Sequence, residues 1–134
     1  MRLINKKNIS WDYVLKVLNK MFLDEQIREI PVFFDKLGNE TLGEFRFTQT
    51  GINAIILSSN SNLTNRQMIG VLLHEMVHQL VFEKYGILVE EHGEEWLSEI
   101  KKIGFSEEDL CGLNFCSKDL YCQIMYQHDK LLAE

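Results

Sequence analysis

Between Ile69 and Phe82 the chain is apolar almost without break, and the polar exceptions include His74-Glu75-Met76-Val77-His78, an H-E-x-x-H arrangement. Ile69, Leu72, Leu73, Met76, Val77, Leu80 and Phe82 fall around most of a helical circumference, so a helix here must lie at the centre of the fold. Thr64, with Gln67 three residues later, matches a capping box at its start, and the helix is expected to reach about Tyr85 before Gly86. At about 100° per residue, His74 and His78 stand about 40° apart, one turn from each other, and both imidazoles can reach one ion. Imidazole nitrogen suits Zn²⁺, and a catalytic zinc keeps three protein ligands and a fourth position for water. Glu75 sits on the flank, placed to take a proton from that water. The competing reading is a buried helix carrying two histidines by accident. Chance would produce such a motif in roughly one of a hundred chains of this composition, and polar positions inside apolar flanks need a reason.

Two protein ligands leave a third to be found. The metzincin extension needs glycine at position 81 and histidine at position 84, where this chain has Val81 and Lys84. The gluzincin pattern takes a glutamate from a second helix, for which Glu95 or Glu99 would serve. His92 is the stronger candidate. It follows His78 by fourteen positions, in His92-Gly93-Glu94-Glu95-Trp96, where a second helix begins. Gly93 would let the backbone turn back over the metal. The plainer alternative for His92 is a polar loop residue.

Leu72-Leu73-His74-Glu75-Met76-Val77-His78 and His92-Gly93-Glu94-Glu95-Trp96 together resemble the SprT-like metallopeptidase family, which includes Spartan-type proteases acting on proteins attached to DNA. Gly43 through Ser59 is similar to the hairpin that precedes the motif helix in that family. The resemblance covers about residues 10–104. It implies His74, His78 and His92 as ligands of one Zn²⁺ per chain, Glu75 as the catalytic carboxylate, and hydrolysis of peptide bonds through a metal-activated water. The chain departs from many members in having neither a four-cysteine zinc ribbon nor a long DNA-binding extension.

Charge bears on that departure. The formal net charge is -6 and the basic doublets, Lys6-Lys7 and Lys101-Lys102, are scattered. Phosphate neutralisation supplies most nonspecific DNA affinity, so the chain alone is expected to bind duplex DNA weakly, although its protein or peptide substrates can be DNA-associated. Glu90-Glu91 and Glu94-Glu95 crowd the expected site. The second pair suits the first turn of a helix; the first pair is either that or a rim favouring basic peptides. Cys111, Cys116 and Cys122 contain no C-x-x-C pair and are expected as reduced thiols, and with His128 they form a weaker candidate for a second metal site. No stretch approaches a membrane span and Met1 to Lys7 lacks an apolar core, which points to a cytoplasmic protein.

The remaining elements follow from periodicity and punctuation. Ser10 caps a helix through about Asp24 whose inner stripe is Trp11, Val14, Leu15, Leu18, Met21 and Phe22. Pro31 begins an extended run through Phe34, and Leu37-Gly38-Asn39 turns the chain. Gly43 to Gln49 places Phe45 and Phe47 on one face, assigned to packing rather than base stacking. Thr50-Gly51 reverses into a strand from Ile52 to Leu57. Gly70 costs about 1 kcal/mol relative to Ala, and either leaves room above the metal or packs against a neighbour. Trp96, Ile100 and Ile103 face inward on the second helix, which Gly104 ends. Ser106–Leu113 and Ser117–Leu132 suggest two more helices. The expected architecture is α+β and zincin-like: an N-terminal helix, a small, mainly antiparallel three-stranded sheet, the central motif helix and C-terminal helices. Residues 1–134 read as one SprT-like metallopeptidase domain, with 105–134 as a helical C-terminal extension. Its expected function is that of a zinc metalloendopeptidase. The alternatives are another zinc hydrolase, such as an amidase, or a non-catalytic binding module that keeps zinc for structure.

Overall fold

Ser10 starts the first helix, α1 (Trp11–Phe22), by accepting a hydrogen bond from the Tyr13 N–H at 3.2 Å. The computed structural model describes residues 9–48, 50–51, 53–86, 89–111 and 113–134, with the Cys111 side chain also excluded. Lys6-Lys7, Gln49 and Ile52, which figure in the sequence reading, lie outside the described residues. Val14, Leu15, Val17 and Leu18 form the buried side of α1, and Asn19 joins them. The expected stripe is thus slightly rotated: Met21 is 38% exposed. Asn19 is tolerated inside because its amide exchanges two hydrogen bonds with the Ile27 backbone, closing the turn that follows the helix.

Three short strands follow: β1 (Val32–Asp35), β2 (Gly43–Arg46) and β3 (Ala54–Ser58), in spatial order β1-β3-β2. The Asp12 carboxylate on α1 accepts the Val32 N–H at 2.9 Å and so fixes β1 beside α1. β3 takes the middle position because Ile55, Ile56 and Leu57 are all buried, as a strand covered on both faces requires. The expected three-stranded sheet is present and is mixed. β2 pairs antiparallel with β3, and β1 pairs with it in parallel. A parallel neighbour needs a crossover, and residues 36–53 provide one that includes β2. As an edge strand, β1 buries only Val32, and Phe33 and Phe34 remain exposed.

The next helix, α2 (Asn65–Tyr85), is capped at Thr64 by the expected reciprocal box: Thr64 accepts from the Gln67 N–H, and the Gln67 side chain accepts from the Thr64 N–H. It packs against α1, β2 and β3, and its buried residues from Met68 to Val81 make it the centre of the core. Gly70 faces Phe115, and an added Cβ would lie 3.6 Å from the Phe115 Cβ, an ordinary contact, so neither that packing nor space at the motif requires glycine here. Beyond α2 lie α3 (Glu94–Lys102), α4 (Glu107–Cys111) and α5 (Lys118–Ala133). α3 and α4 pack on α2, and α5 lies along α1. Trp96 and Ile100 are the buried residues of α3 that were expected to face inward, joined by Glu99. Among the described residues, no helix is long and apolar enough to cross a membrane.

Candidate metal centre

The central helix brings His74 and His78 onto one side, one turn apart, and the segment before α3 brings His92 over them. Their three Nε2 atoms form a triangle with every side 3.1 Å. A four-coordinate zinc with bonds of about 2.0–2.1 Å separates its nitrogens by about 3.3 Å, so this triangle has the size of a three-nitrogen face of such a site. Among the described residues this trio is the group able to hold a metal ion. Two of the donors also have the required protonation state. Burial, and then the nearby His92, lowers the pKa of His74 to about 4, opposed by a hydrogen bond to the Leu110 backbone. Burial, followed by the His74 and His92 imidazoles, takes His78 down to about 3. Both are therefore neutral near pH 7 and can offer a lone pair.

Gly93 is the N-cap of α3 and has an ordinary negative φ of -83°, so the left-handed freedom of glycine is not what the position uses. A Cβ there would come 3.0 Å from the Glu90 Cβ, so glycine permits the tight 90–93 turn that sets His92 over α2. The Gly93 N–H donates to the Glu90 carbonyl at 3.2 Å and closes that turn. Trp96, one turn into α3, is fully buried and lies against all three imidazoles, with ring centroids 4.7 Å from His92, 5.0 Å from His74 and 5.5 Å from His78. Sequence reading placed Trp96 in the core but missed this role as the common floor of the cluster. The signal available was its position four residues after His92.

Glu75 is 7% exposed and lines the same cavity of about 810 Å³ as the three histidines. Burial raises its pKa to about 8, assisted by the Glu91 and Glu44 carboxylates and opposed by the Phe45 N–H, which donates to it. The strand β2 thus touches the motif directly. The contact depends on Gly43: a Cβ there would fall 2.7 Å from Val71 Cγ1 and 3.1 Å from Glu75 Cγ. Val71 is buried and stiff at χ1, so it cannot swing aside. Gly43→Ala should therefore destabilise the protein by about 1–3 kcal/mol, the usual cost of overpacking. Denaturant midpoints would show it, and adding Val71→Ala should recover part of the loss. A Gly43→Ala protein as stable as wild type would mean that β2 and α2 are not held at this distance.

The other candidate ligands stand outside the histidine group. Glu99 is buried in an ion-pair cluster with Lys84 at 3.2 Å and Lys102 at 3.4 Å, and also accepts from the Tyr85 hydroxyl. It ties the end of α2 to α3, and neither it nor Glu95 joins the histidine group. The second metal site is not assembled among the described residues. His128 is buried, with Nε2 accepting the Ser10 N–H at 2.9 Å, so Nδ1 carries the proton accepted by Asp129. Cys116 is a buried free thiol donating to the Ser117 carbonyl, and Cys122 is an exposed one. Phe45 and Phe47 share one side as expected, with ring centroids 5.6 Å apart, and both pack on Phe82 of α2. The strand is shorter than expected: β2 ends at Arg46, and Phe47 stays 45% exposed. Phe45 also packs against the core, and the three rings line the cavity.

A sequence model described as the SprT-like family matches residues 12–117, most of the chain, and the match continues past the 10–104 span of the motif resemblance. No curated protein matches the chain.

Proposed function

We propose, from the premise that this chain belongs to the SprT-like family, that it is a zinc-dependent metalloendopeptidase. The observation that carries this reading is the triangle of His74, His78 and His92 nitrogens beside the buried Glu75 carboxylate, in one cavity open to solvent. His74, His78 and His92 would hold the ion. An all-imidazole set without thiolates suits zinc, and a cavity reaching the cluster favours an open catalytic site over a closed structural one. When bound, zinc supplies positive charge that polarises a carbonyl and acidifies water.

The chain's own residues account for the proton traffic. Glu75 is placed to take a proton from the attacking water and to return it to the leaving amide nitrogen. In the metal-free chain burial raises its pKa to about 8, and the charge of a bound dication would lower it from there. The Phe45 N–H fixes the carboxylate so that it need not reorganise between the two transfers. β2 is an edge strand that lines the cavity, so an extended peptide can lie against it by strand addition. This favours a polypeptide over the small amides that the amidase alternative would take. Weak duplex DNA binding remains the expectation, since Lys16, Arg28, Arg46, Lys84 and Lys102 are already paired with carboxylates.

Metal analysis combined with a protease assay tests the reading. Purified protein should contain about one zinc per chain and cleave an unfolded protein such as casein. A chelator should abolish cleavage, and added zinc should restore it. Stoichiometric zinc without hydrolysis across protein and peptide panels would favour the binding-module alternative. Absence of zinc would remove both.

A further inference from the structure

The cavity above the histidines is lined by two surfaces of different chemistry. One is aromatic. Phe47 stacks on Phe82, and Phe45 meets Phe82 edge-on at 5.4 Å, forming a continuous ring surface between β2 and α2. Phe47 remains 45% exposed on this wall, leaving large apolar area for another side chain to cover. The other is acidic. Glu40 and Glu44, before and on β2, and Glu90 and Glu91, just before His92, line the cavity, and none of the described lining residues is Lys or Arg. Glu44 is discounted by its ion pair with Arg46 at 3.0 Å, whereas no ion pair holds Glu90 or Glu91 among the described residues. Even a divalent ion on the histidines would leave the other three rim carboxylates, Glu40, Glu90 and Glu91, in excess. Like charges in a cleft with low-dielectric walls reinforce one another and draw in the opposite sign.

We infer that the cavity selects extended cationic polypeptide segments, seating a bulky apolar side chain on the Phe45–Phe47–Phe82 wall and a neighbouring lysine or arginine against Glu90 and Glu91. This specificity rests on the peptidase reading for its chemistry, but the binding preference itself needs no turnover. The two walls act through different forces and can be separated. The acidic wall raises association with basic segments and is weakened by salt. The aromatic wall works by excluding water from apolar surface and is not.

Fluorescence anisotropy with labelled peptides on the zinc-loaded, full-length Glu75→Gln protein provides the test. Three peptides suffice: one with adjacent Phe and Lys, a second with Lys exchanged for Glu, and a third with Phe exchanged for Ser. At about 50 mM salt the Lys-to-Glu exchange should weaken binding about tenfold or more, and the difference should shrink as salt rises. The Phe-to-Ser exchange should weaken it about fivefold or more at every salt concentration. Combined Glu90→Gln and Glu91→Gln should erase the charge preference and keep the aromatic one. Phe47→Ser should do the reverse. Equal affinity for the three peptides, or preferences unmoved by these variants, would overturn the inference. Because binding is read directly, failure of the peptidase reading shows separately, as an absence of cleavage by wild type. Equal cleavage of all three peptides by wild type would overturn the specificity while upholding the peptidase.

Discussion

Glu75→Gln should lower peptide hydrolysis by about 10²–10⁴-fold while leaving the fold and the bound zinc in place. The amide has the size of the carboxylate and its oxygen can still accept the Phe45 N–H, so the cavity wall keeps its shape. What disappears is the ability to hold a proton in transit. The histidine triangle does not depend on Glu75, which is absent from that group of candidate ligands. Turnover by single-turnover kinetics and zinc by elemental analysis should therefore separate cleanly. A variant as active as wild type would remove Glu75 from the mechanism, and one that loses zinc would make it part of the metal site.

The same substitution has a signature without metal. In the apoprotein the folded pKa of Glu75, about 8, lies above the ordinary value of 4.5, chiefly because burial penalises the charged form. A raised carboxyl pKa means that stability is fully present below 4.5 and lost as pH rises from there through about 8. Glutamine stays neutral throughout. Chelator-treated Glu75→Gln should accordingly gain stability over chelator-treated wild type across that interval. His74 and His78 act in the other direction. Their folded pKa values, about 4 and about 3, lie below 6.5, so their contribution is present above 6.5 and is lost as pH falls through the folded values. Both proteins should weaken together on the acid side, since both keep the histidines. Denaturant midpoints across this pH range would check the two slopes, and parallel curves at every pH would mean that Glu75 is not desolvated.

The centre was legible where it depends on local sequence. Helical spacing alone brings His74 and His78 together, and the Thr64–Gln67 box and Gly86 mark the ends of their helix. His92 could be nominated because it precedes a helix, although only the folded chain brings its nitrogen to 3.1 Å from the other two. The features that escaped are contacts between distant segments. Alternation puts Phe47 beside Phe45, as the fold does, but β2 stops at Arg46 and the partner both rings meet, Phe82, lies on a helix far along the chain. Glu99 reads as a plausible ligand by its distance from the motif. Its preference for Lys84 and Lys102 is set by how α3 docks on the end of α2. The parallel β1–β3 pair is likewise a choice among neighbours, because Val32-Phe33-Phe34 carries the same strand signal whichever way its partner runs.

His92→Ala should weaken zinc binding by at least about 100-fold, since even the groups that only orient metal ligands contribute 10–100-fold. The expectation follows from the shape of the site. His74 and His78 sit on a rigid helix and their spacing survives the change, but two imidazoles leave half of a tetrahedral shell to water. His92 is exposed, and its loss removes little packing, so the variant should fold. Competition titrations against a chromophoric chelator would measure the loss, with two carboxylate variants beside it. Glu95→Ala should keep zinc affinity. Glu99→Ala should keep it too, but should lower stability, because Lys84 and Lys102 lose the buried carboxylate they share. If His92→Ala retains full affinity while either glutamate variant loses it, the third ligand is a carboxylate on α3 and the three-histidine centre is wrong. Such a centre would also need α3 to turn about its axis, pulling Trp96 from beneath the imidazoles. The near-UV signal of that buried indole would then differ between zinc-loaded and metal-free protein far more than the preformed triangle allows.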